Sequence, residues 1–215
     1  MVDVSDIKTT ATLLEALDRR QGDAAAKKAF DDAVWAARGR EAAILVTDLS
    51  GFTKLTKRHG ILHFLQVFRR CEQACMPVVE AHGGVLMKHE ADDLICIFDD
   101  ALSAIGAAFG MLRACAAVNA TLDEEDDHVN LCIGVEHGPL LRLDDDAFGD
   151  AVNVAFKLGE DVAERGEVLI GPTAYAAALD AGYDFSKMII DGPRVVTTGN
   201  VPLEHWSARL EPKKD

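Results

Sequence analysis

The feature that most constrains the fold is an apolar run over residues 42–53 that ends in a carboxylate and a loop containing glycine. An unbroken series of small and β-branched residues is typical of a strand buried on both faces. Asp48 ends that strand, and Gly51 allows the backbone amides of the loop to approach a ligand closely. A carboxylate beside free amides at a helix start suits a hard cation and a phosphate. The same residues also fit an ordinary strand–turn–helix corner in which Asp48 is a cap.

Composition limits the kinds of partner. The chain has 215 residues, 49% of them hydrophobic, which fits one domain with a sizeable core and an appended helical segment. Its net charge of −14 argues against a nucleic acid polymer as partner, because binding to a phosphate backbone needs a basic surface. The first residues lack the apolar core of a signal peptide, and no apolar run approaches the ~20 residues of a membrane span. Five cysteines without a CxxC pair predict buried free thiols, so a cytoplasmic protein without a membrane partner is expected.

Hydrophobic periodicity predicts an α+β chain. Residues 1–40 are expected to form an N-terminal extension of one or two helices, used for packing or dimer contact. From residue 41 the order is β-α-β-β-α-β with C-terminal additions, the ferredoxin-like split βαβ arrangement of an antiparallel sheet with helices on one face. The predicted helices are 52–81 with a break near Gly60, 101–119, 150–164 and 172–179. The predicted strands are 42–48, 85–88, 94–98, 129–137 with a possible continuation at 140–143, 168–170, 183–190 and 194–207.

Two further stretches are predicted to be structural. Residues 121–128 are acidic and fit a solvated loop, because they lack the glycine and the final glutamate of a calcium-binding EF-hand loop. Cys71 and Cys75 share a helix face, but no histidine or aspartate accompanies them at matching spacing, so no metal site is expected there.

Asp48 and Asp92 are the candidate metal ligands. Asp48 ends the first core strand, Asp92 lies at the turn of the central hairpin, and the predicted topology places that strand beside the hairpin. Two carboxylates in such a position suit two Mg²⁺ ions, about 3.5–4 Å apart in known two-metal sites. Asp92 and the adjacent Asp93 are also residues that any hairpin turn can carry.

Four segments, in order and at compatible spacing, resemble the catalytic domain of class III adenylate/guanylate cyclases. The resemblance covers roughly residues 41–172, and the cyclase homology domain is assigned to residues 41–215. The matching segments are 47–53, 83–92, 134–139 and 146–158.

The resemblance implies a metal and phosphate half of a site. Asp48 and Asp92 would bind two Mg²⁺ or Mn²⁺ ions, with the carbonyl oxygen of Leu49 as a further ligand. The loop that follows would receive the β- and γ-phosphates of ATP on its amides: Ser50, Gly51, Phe52 and Thr53.

The resemblance also implies a base and ribose half. Lys88 would donate to adenine N1 and Asp146 would accept from the 6-amino group, a pairing that suits adenine and mismatches guanine. Asn153 would hold the ribose, and Lys157 would steady charge on the α-phosphate. Because family sites lie between two antiparallel subunits, a chain with all of these residues is expected to form a homodimer with two sites.

Each of these side chains also has an ordinary interpretation, and the chain departs from the family at three points. Lys88 and Lys157 also fit solvated lysines, and Asp146 lies in an acidic run, 144–146, in which the register is open by one residue. Ala91 stands where the family has glycine, and Lys157 stands where it has arginine. The stretch from Gly138 to Asp146 is short, so a long dimer-contact hairpin is expected to be reduced.

The predicted function is therefore an adenylate cyclase, which converts ATP to 3′,5′-cyclic AMP and pyrophosphate by a two-metal mechanism at a homodimer interface. The alternative is a catalytically inactive or weak cyclase-homology module that binds nucleotide or dimerises as a regulatory domain. A diguanylate cyclase is a weaker third reading, because the GG[DE]EF signature is absent from the central hairpin.

Overall fold

The computed structural model describes residues 4–199 and 201–211, so the outermost parts of the two predicted segments, 1–3 and 212–215, lie outside the described residues. The helices are α1 Thr10–Leu17, α2 Ala24–Arg38, α3 Phe52–His59, α4 Ile61–Ala81, α5 Ala101–Asn119, α6 Asp150–Phe156 and α7 Pro172–Asp180. The strands are β1 Gly39–Leu49, β2 Val85–Glu90, β3 Asp93–Phe98, β4 Leu131–Arg142, β5 Ala147–Phe148, β6 Val168–Ile170, β7 Met188–Thr198 and β8 Val201–Leu210.

The described strands form one mixed sheet, and the predicted α+β class is confirmed. The strand order is β2-β3-β1-β4-β6-β8-β7, with β5 paired to the end of β4. β1 lies in the middle and pairs antiparallel with β3 and β4, as the split βαβ arrangement requires. The β4–β6 pair is parallel, so the sheet is not wholly antiparallel.

Side-chain alternation along β1 divides the core between the two faces of the sheet. Ala43 and Leu45 pack into the larger cluster, which also contains buried residues of α4, α5 and α7. Ile44 and Val46 pack into a second cluster with Val152 of α6. The expectation of helices on one face thus holds for α4, α5 and α7, whereas α6 covers the opposite face.

Several element boundaries differ from the predicted ones, and two of these differences change the extent or type of an element. The predicted break between the last two strands, at 191–193, lies inside β7, where Gly192 and Pro193 form a bulge on an edge strand. The turn comes later, at Gly199, whose φ of +54° favours glycine. The predicted helix 150–164 is α-helical to Phe156 and continues as a π-helical turn, Lys157–Val162.

Helix α5 is long and apolar enough to cross a membrane by length and composition alone, which the sequence prediction did not anticipate. Its most apolar 18-residue window has a mean hydropathy of 1.7, and half of that window is buried inside the domain. Ala104, Ala107 and Ala108 are fully buried, so α5 is a core helix that packs closely against its neighbours.

The N-terminal helices form a core of their own against the far end of β4. The cluster contains Ile7, Leu13, Ala16, Phe30, Val34 and Leu143. Since Leu143 follows β4 directly, this small core fixes the N-terminal segment to the loop that leads into β5.

The acidic stretch 121–128 is docked on the helices rather than free in solvent. Asp126 contacts Arg58 and His59 of α3 at 2.6 and 2.7 Å, and Arg70 of α4 donates to the carbonyl oxygen of Asp127. The His59 hydrogen bond holds the pKa of the Asp126 carboxyl below its usual range. The loop therefore anchors α3, the helix that begins at the predicted phosphate loop.

Candidate active site

The predicted metal ligands meet at one corner of the sheet. Asp48 comes from the end of β1 and Asp92 from the β2–β3 turn, and β1 pairs directly with β3. The hydroxyl of Thr47 accepts a hydrogen bond from the Leu94 amide at 3.1 Å, which ties the strand end to the hairpin. Carboxylate oxygens of Asp48, Asp92 and Asp93 lie within 4.8 Å of one another.

None of these three carboxylates forms an ion pair with another residue that the structure describes, although backbone amides donate to Asp48 and Asp92. Burial, followed by the charges of Asp92 and Glu160, raises the pKa of Asp48 to about 6. Burial and neighbouring Glu160 raise the pKa of Asp93 to about 8, and burial also raises the pKa of Asp92. One oxygen each of Asp92 and Asp93 is buried without a hydrogen-bond partner. Clustered carboxylates with unpartnered oxygens fit a hard divalent cation such as Mg²⁺ or Mn²⁺.

A cavity of about 460 Å³ opens beside this corner and contains most of the predicted phosphate loop. Its lining residues are Asp48, Leu49, Gly51, Phe52, Thr53, Lys54 and Asp92. Gly51 has a φ of +105° and precedes α3, so the first amides of that helix are left for a ligand. The amide of Ser50 instead donates to the Asn130 carbonyl at 3.0 Å, which leaves the predicted phosphate role to the other loop amides.

The hairpin turn contains a strained residue. Ala91 has a φ of +52°, in the left-handed region that glycine adopts freely and alanine rarely adopts. A register shift between Leu86 and Lys88 further down the hairpin marks a β-bulge, a feature that re-aims the adjacent side chain.

The two predicted base-reading residues contact each other. The Lys88 ammonium lies 2.9 Å from Asp146 Oδ2 and 2.9 Å from Glu90. Burial lowers the pKa of Lys88, but the hydrogen bonds to Glu90 and Asp146 outweigh that effect and leave the pKa raised. The contact selects Asp146, out of the acidic run 144–146, as the residue facing Lys88.

The remaining predicted residues lie on the α6 side. Asn153 is exposed, and Lys157 begins the π-helical turn one helical turn later. Within the described residues, neither side chain is hydrogen bonded or ion paired to Asp48 or Asp92. Gly134 of β4 lets this segment approach the sheet, since a Cβ there would lie 2.2 Å from the Ala155 carbonyl oxygen.

Comparison with known proteins adds two independent likenesses. No family model matches the sequence. The chain is 35% identical over 133 residues to the candidate adenylate cyclase 3 of Rhizobium meliloti (strain 1021), covering 62% of this chain and 22% of that protein. It is 29% identical over 140 residues to an adenylate cyclase of Streptomyces coelicolor, covering 65% and 34%. The chain thus spans about a fifth to a third of the length of these two relatives.

Solved structures give the same fold. The guanylyl cyclase Cya2 superposes with a TM-score of 0.67 at 22% identity, over 80% of this chain and 94% of that one. The adenylyl cyclase CyaB from P. aeruginosa gives 0.66 at 17% identity, over 83% and 97%. The chain has the fold of class III cyclase catalytic domains. The short β4–β5 hairpin, with a β5 of only two residues, is the reduced form that the sequence predicted.

Three side chains near this candidate site escaped the sequence prediction. Asp93 was treated as an ordinary turn residue, yet it is 6% exposed and faces Asp92 and Glu160. Glu160 reaches this corner through the π-helical turn, which no sequence pattern indicated. Lys54 lines the cavity in the first turn of α3, and its position just after the phosphate loop was an available signal.

A second group of possible metal ligands lies in the core of the domain. Cys115 of α5 joins Cys71 and Cys75, with Sγ–Sγ distances of 3.7 Å from Cys75 to Cys115 and 3.9 Å from Cys71 to Cys75. All three thiols are buried, and Cys75 is within hydrogen-bond distance of both Cys71 and Cys115. All five cysteines are free and buried, as the sequence predicted.

Proposed function

We propose that this chain is an adenylate cyclase domain that converts ATP to 3′,5′-cyclic AMP and pyrophosphate. The observation that carries the proposal is the corner of Asp48, Asp92 and Asp93, in which Asp92 and Asp93 each have a buried oxygen without a hydrogen-bond partner. Asp48 and Asp92 also line the cavity beside the N-terminus of α3. A cyclase must hold a triphosphate and its cations in one place, and this corner offers ligands for both.

In the proposed reaction, separate groups of residues bind the cations and the phosphates. Asp48, Asp92 and the Leu49 carbonyl hold the cations, which when bound acidify the ribose 3′-hydroxyl and neutralise the triphosphate. The amides of Gly51, Phe52 and Thr53 cradle the β- and γ-phosphates, and Lys54 adds a positive charge at the cavity wall.

The Lys88–Asp146 pair supports ATP rather than GTP as the substrate. An ammonium donor next to a carboxylate acceptor matches adenine N1 and the 6-amino group, whereas guanine presents O6 and N1–H in the reverse order. A site with the wrong donor–acceptor order leaves buried polar groups unpaired and loses affinity.

The site is proposed to be shared between two copies of the chain. Asn153 is exposed, and Lys157 makes no ion pair within the described residues, so both side chains are available to a nucleotide held by a second copy. Mixing inactive Asp48→Ala chains with inactive Asn153→Ala chains should then restore partial activity, because a mixed dimer has one intact site. Absence of rescue despite demonstrated subunit exchange would argue against a shared site.

The direct test is to incubate purified protein with ATP or GTP and Mn²⁺ or Mg²⁺ and to measure both cyclic nucleotides. Cyclic AMP should form, and Asp92→Asn should abolish it. Asp99→Asn is the matched control, because it removes the same charge from an exposed residue just beyond β3, outside the cavity. A preference for GTP would show that the base-reading pair is assigned wrongly.

The second candidate function is a silent module that binds nucleotide or dimerises. Two observations favour it: the strained Ala91 at the metal turn and a lysine at position 157 in place of a forked arginine donor. Nucleotide binding without any cyclic product, in wild type and in Lys157→Arg, would establish this alternative.

A further inference from the structure

The loop that presents Asp146 is held from both sides, residue by residue. On one side, Asp146 Oδ2 accepts from Lys88 and Oδ1 accepts from the Ala147 amide at 2.8 Å. The turn itself closes through the Leu143 amide, which donates to the Asp146 carbonyl at 2.8 Å. On the other side, the loop packs against and hydrogen bonds to the N-terminal segment.

The N-terminal contacts involve the three residues directly before Asp146. Leu143 is 3% exposed and packs among the apolar side chains of α1 and α2. The Asp144 amide donates to the Lys8 carbonyl at 2.7 Å. Asp145 Oδ1 accepts from the Thr10 amide at 2.8 Å and from its hydroxyl at 3.2 Å.

The Asp145 contact has a clear physical role. Thr10 is the first residue of α1, and its amide is one of the helix-start donors that lack an intrahelical partner. A carboxylate at that end also interacts favourably with the helix dipole. The Asp145 carboxylate therefore satisfies one of the free amides at the start of α1 and fixes the residue next to Asp146.

We infer that the N-terminal helical segment is a positioning element for nucleotide selection: through Asp145 and Leu143 it holds Asp146 against Lys88. Displacement of α1 releases this loop, while the metal corner, built from β1 and the β2–β3 turn, keeps its own supports. The inference rests on the proposed function for its catalytic consequence, and on the geometry alone for the positioning. Asp145 is a positioning residue, since its carboxylate contacts Thr10 and not the base.

The chain offers a matched set of variants. Asp145→Ala removes the acceptor. Thr10→Pro removes both donors but keeps the helix start, because proline is well accepted at the first helical position and Thr9 is already extended, with φ −122° and ψ 165°. Asp144→Ala is the control: it removes the same charge one residue away, and its bond to Lys8 is made by the backbone.

The first measurement is amide hydrogen exchange at Leu143 and Ala147, whose N–H groups both bond to Asp146. Asp145→Ala and Thr10→Pro should each speed exchange roughly three- to tenfold, the equivalent of one lost hydrogen bond. The exchange rate in the double variant should not exceed the rate in either single variant, because both substitutions remove the same interaction. Asp144→Ala should match wild type. Unchanged exchange in Asp145→Ala and Thr10→Pro, or an equal rise in Asp144→Ala, would overturn the inference.

The second measurement is kinetic and separates positioning from general damage. Asp145→Ala should raise KM for ATP and reduce the ATP-over-GTP ratio of kcat/KM roughly three- to tenfold. An equal fall of kcat with both nucleotides would show a merely structural role and overturn the inference. If wild type makes no cyclic nucleotide, the proposed function fails, and the exchange experiment still decides the positioning.

Discussion

The proposed metal corner (Asp48, Asp92 and Asp93) and the proposed base-reading corner (Lys88 and Asp146) are built on opposite electrostatic principles. At the metal corner, three carboxylates from β1 and the β2–β3 turn crowd together, and two of their oxygens are buried without a partner. At the base-reading corner, Lys88 is paired with Asp146 and Glu90, and the loop behind Asp146 is bonded along its length. One corner is incomplete without a ligand, and the other is complete.

This difference separates the contributions of the two corners to stability. Like charges brought out of water oppose folding. The crowded carboxylates of the metal corner therefore lower the free energy of unfolding until cations bind. A paired and hydrogen-bonded group stabilises the fold whether or not a ligand is present. Substitutions in the two corners should therefore both reduce activity but should shift stability in opposite directions.

The largest expected effect is at the metal corner. Asp48→Asn should reduce kcat by about 10³-fold or more, since loss of a metal ligand removes several kcal/mol of charge stabilisation. Its free energy of unfolding in chelator-treated buffer, measured by urea denaturation, should equal or exceed that of wild type, because one of the crowded charges is gone. Asp99→Asn serves as the control for both measurements. A large loss of stability would support the competing interpretation of Asp48 as a structural cap.

The next largest effect is at the base-reading corner. Lys88→Met should lower kcat/KM for ATP roughly 10- to 100-fold, the loss of one hydrogen bond from a charged donor, and reduce the preference over GTP. Because the Lys88 side chain is 29% exposed, the stability lost should be only about 0.2–1 kcal/mol. Lys27→Met, on the exposed surface of α2, is the matched control. A gain in stability would contradict the proposed contrast between the corners.

More of the metal corner than of the base-reading corner could be predicted from the sequence. Topology alone brought Asp48 and Asp92 together, because a strand end and a neighbouring hairpin turn must meet in a split βαβ sheet. Asp93 was missed because turn chemistry explained it without a site. The bonds of Asp145 to Thr10 span 135 residues, and no local pattern predicts a contact between an exposed loop and a helix start.

Errors in the fold came from ambiguous local signals. Gly192 and Pro193 are ordinary turn residues, yet they form a bulge in an edge strand, a distinction that depends on strand pairing rather than sequence. The π-helical turn after Phe156 was predicted as α-helix, since the apolar spacing over a single turn does not separate the two. That turn places Glu160 near Asp93, so the error concealed a residue of the metal corner.

A smaller effect is expected on α6, the third part of the proposed site. Lys157→Ala should lower kcat by less than the 10²–10³-fold typical of losing a fixed oxyanion donor, because a lysine supplies one mobile charge. Lys157→Arg should raise kcat by restoring two fixed donors. Steady-state kinetics with ATP at saturating Mn²⁺ measures both. An unchanged kcat in Lys157→Ala, in an active enzyme, would identify Lys157 as a surface lysine.

The smallest effect tests the hairpin that joins the two corners, since β2 carries Lys88 and the turn carries Asp92. Ala91 occupies the left-handed region, which costs a residue with a Cβ about 1–2 kcal/mol. Glycine removes that strain but gives the unfolded chain more freedom, worth about 0.4–1 kcal/mol. Ala91→Gly should therefore stabilise the domain by about 0.5–1 kcal/mol and raise Tm by roughly 2–4 °C.

The reverse substitution gives the matched control at a site away from the carboxylates. Gly83 has a φ of +73° and open space around its missing Cβ, so Gly83→Ala introduces the same backbone strain without a steric clash. The two variants should shift Tm by similar amounts in opposite directions, as measured by calorimetry in chelator-treated buffer. If Ala91→Gly instead lowers Tm while Gly83→Ala behaves as expected, the strain at Ala91 is offset by contacts of its methyl group. Those contacts would then stabilise the left-handed conformation of residue 91.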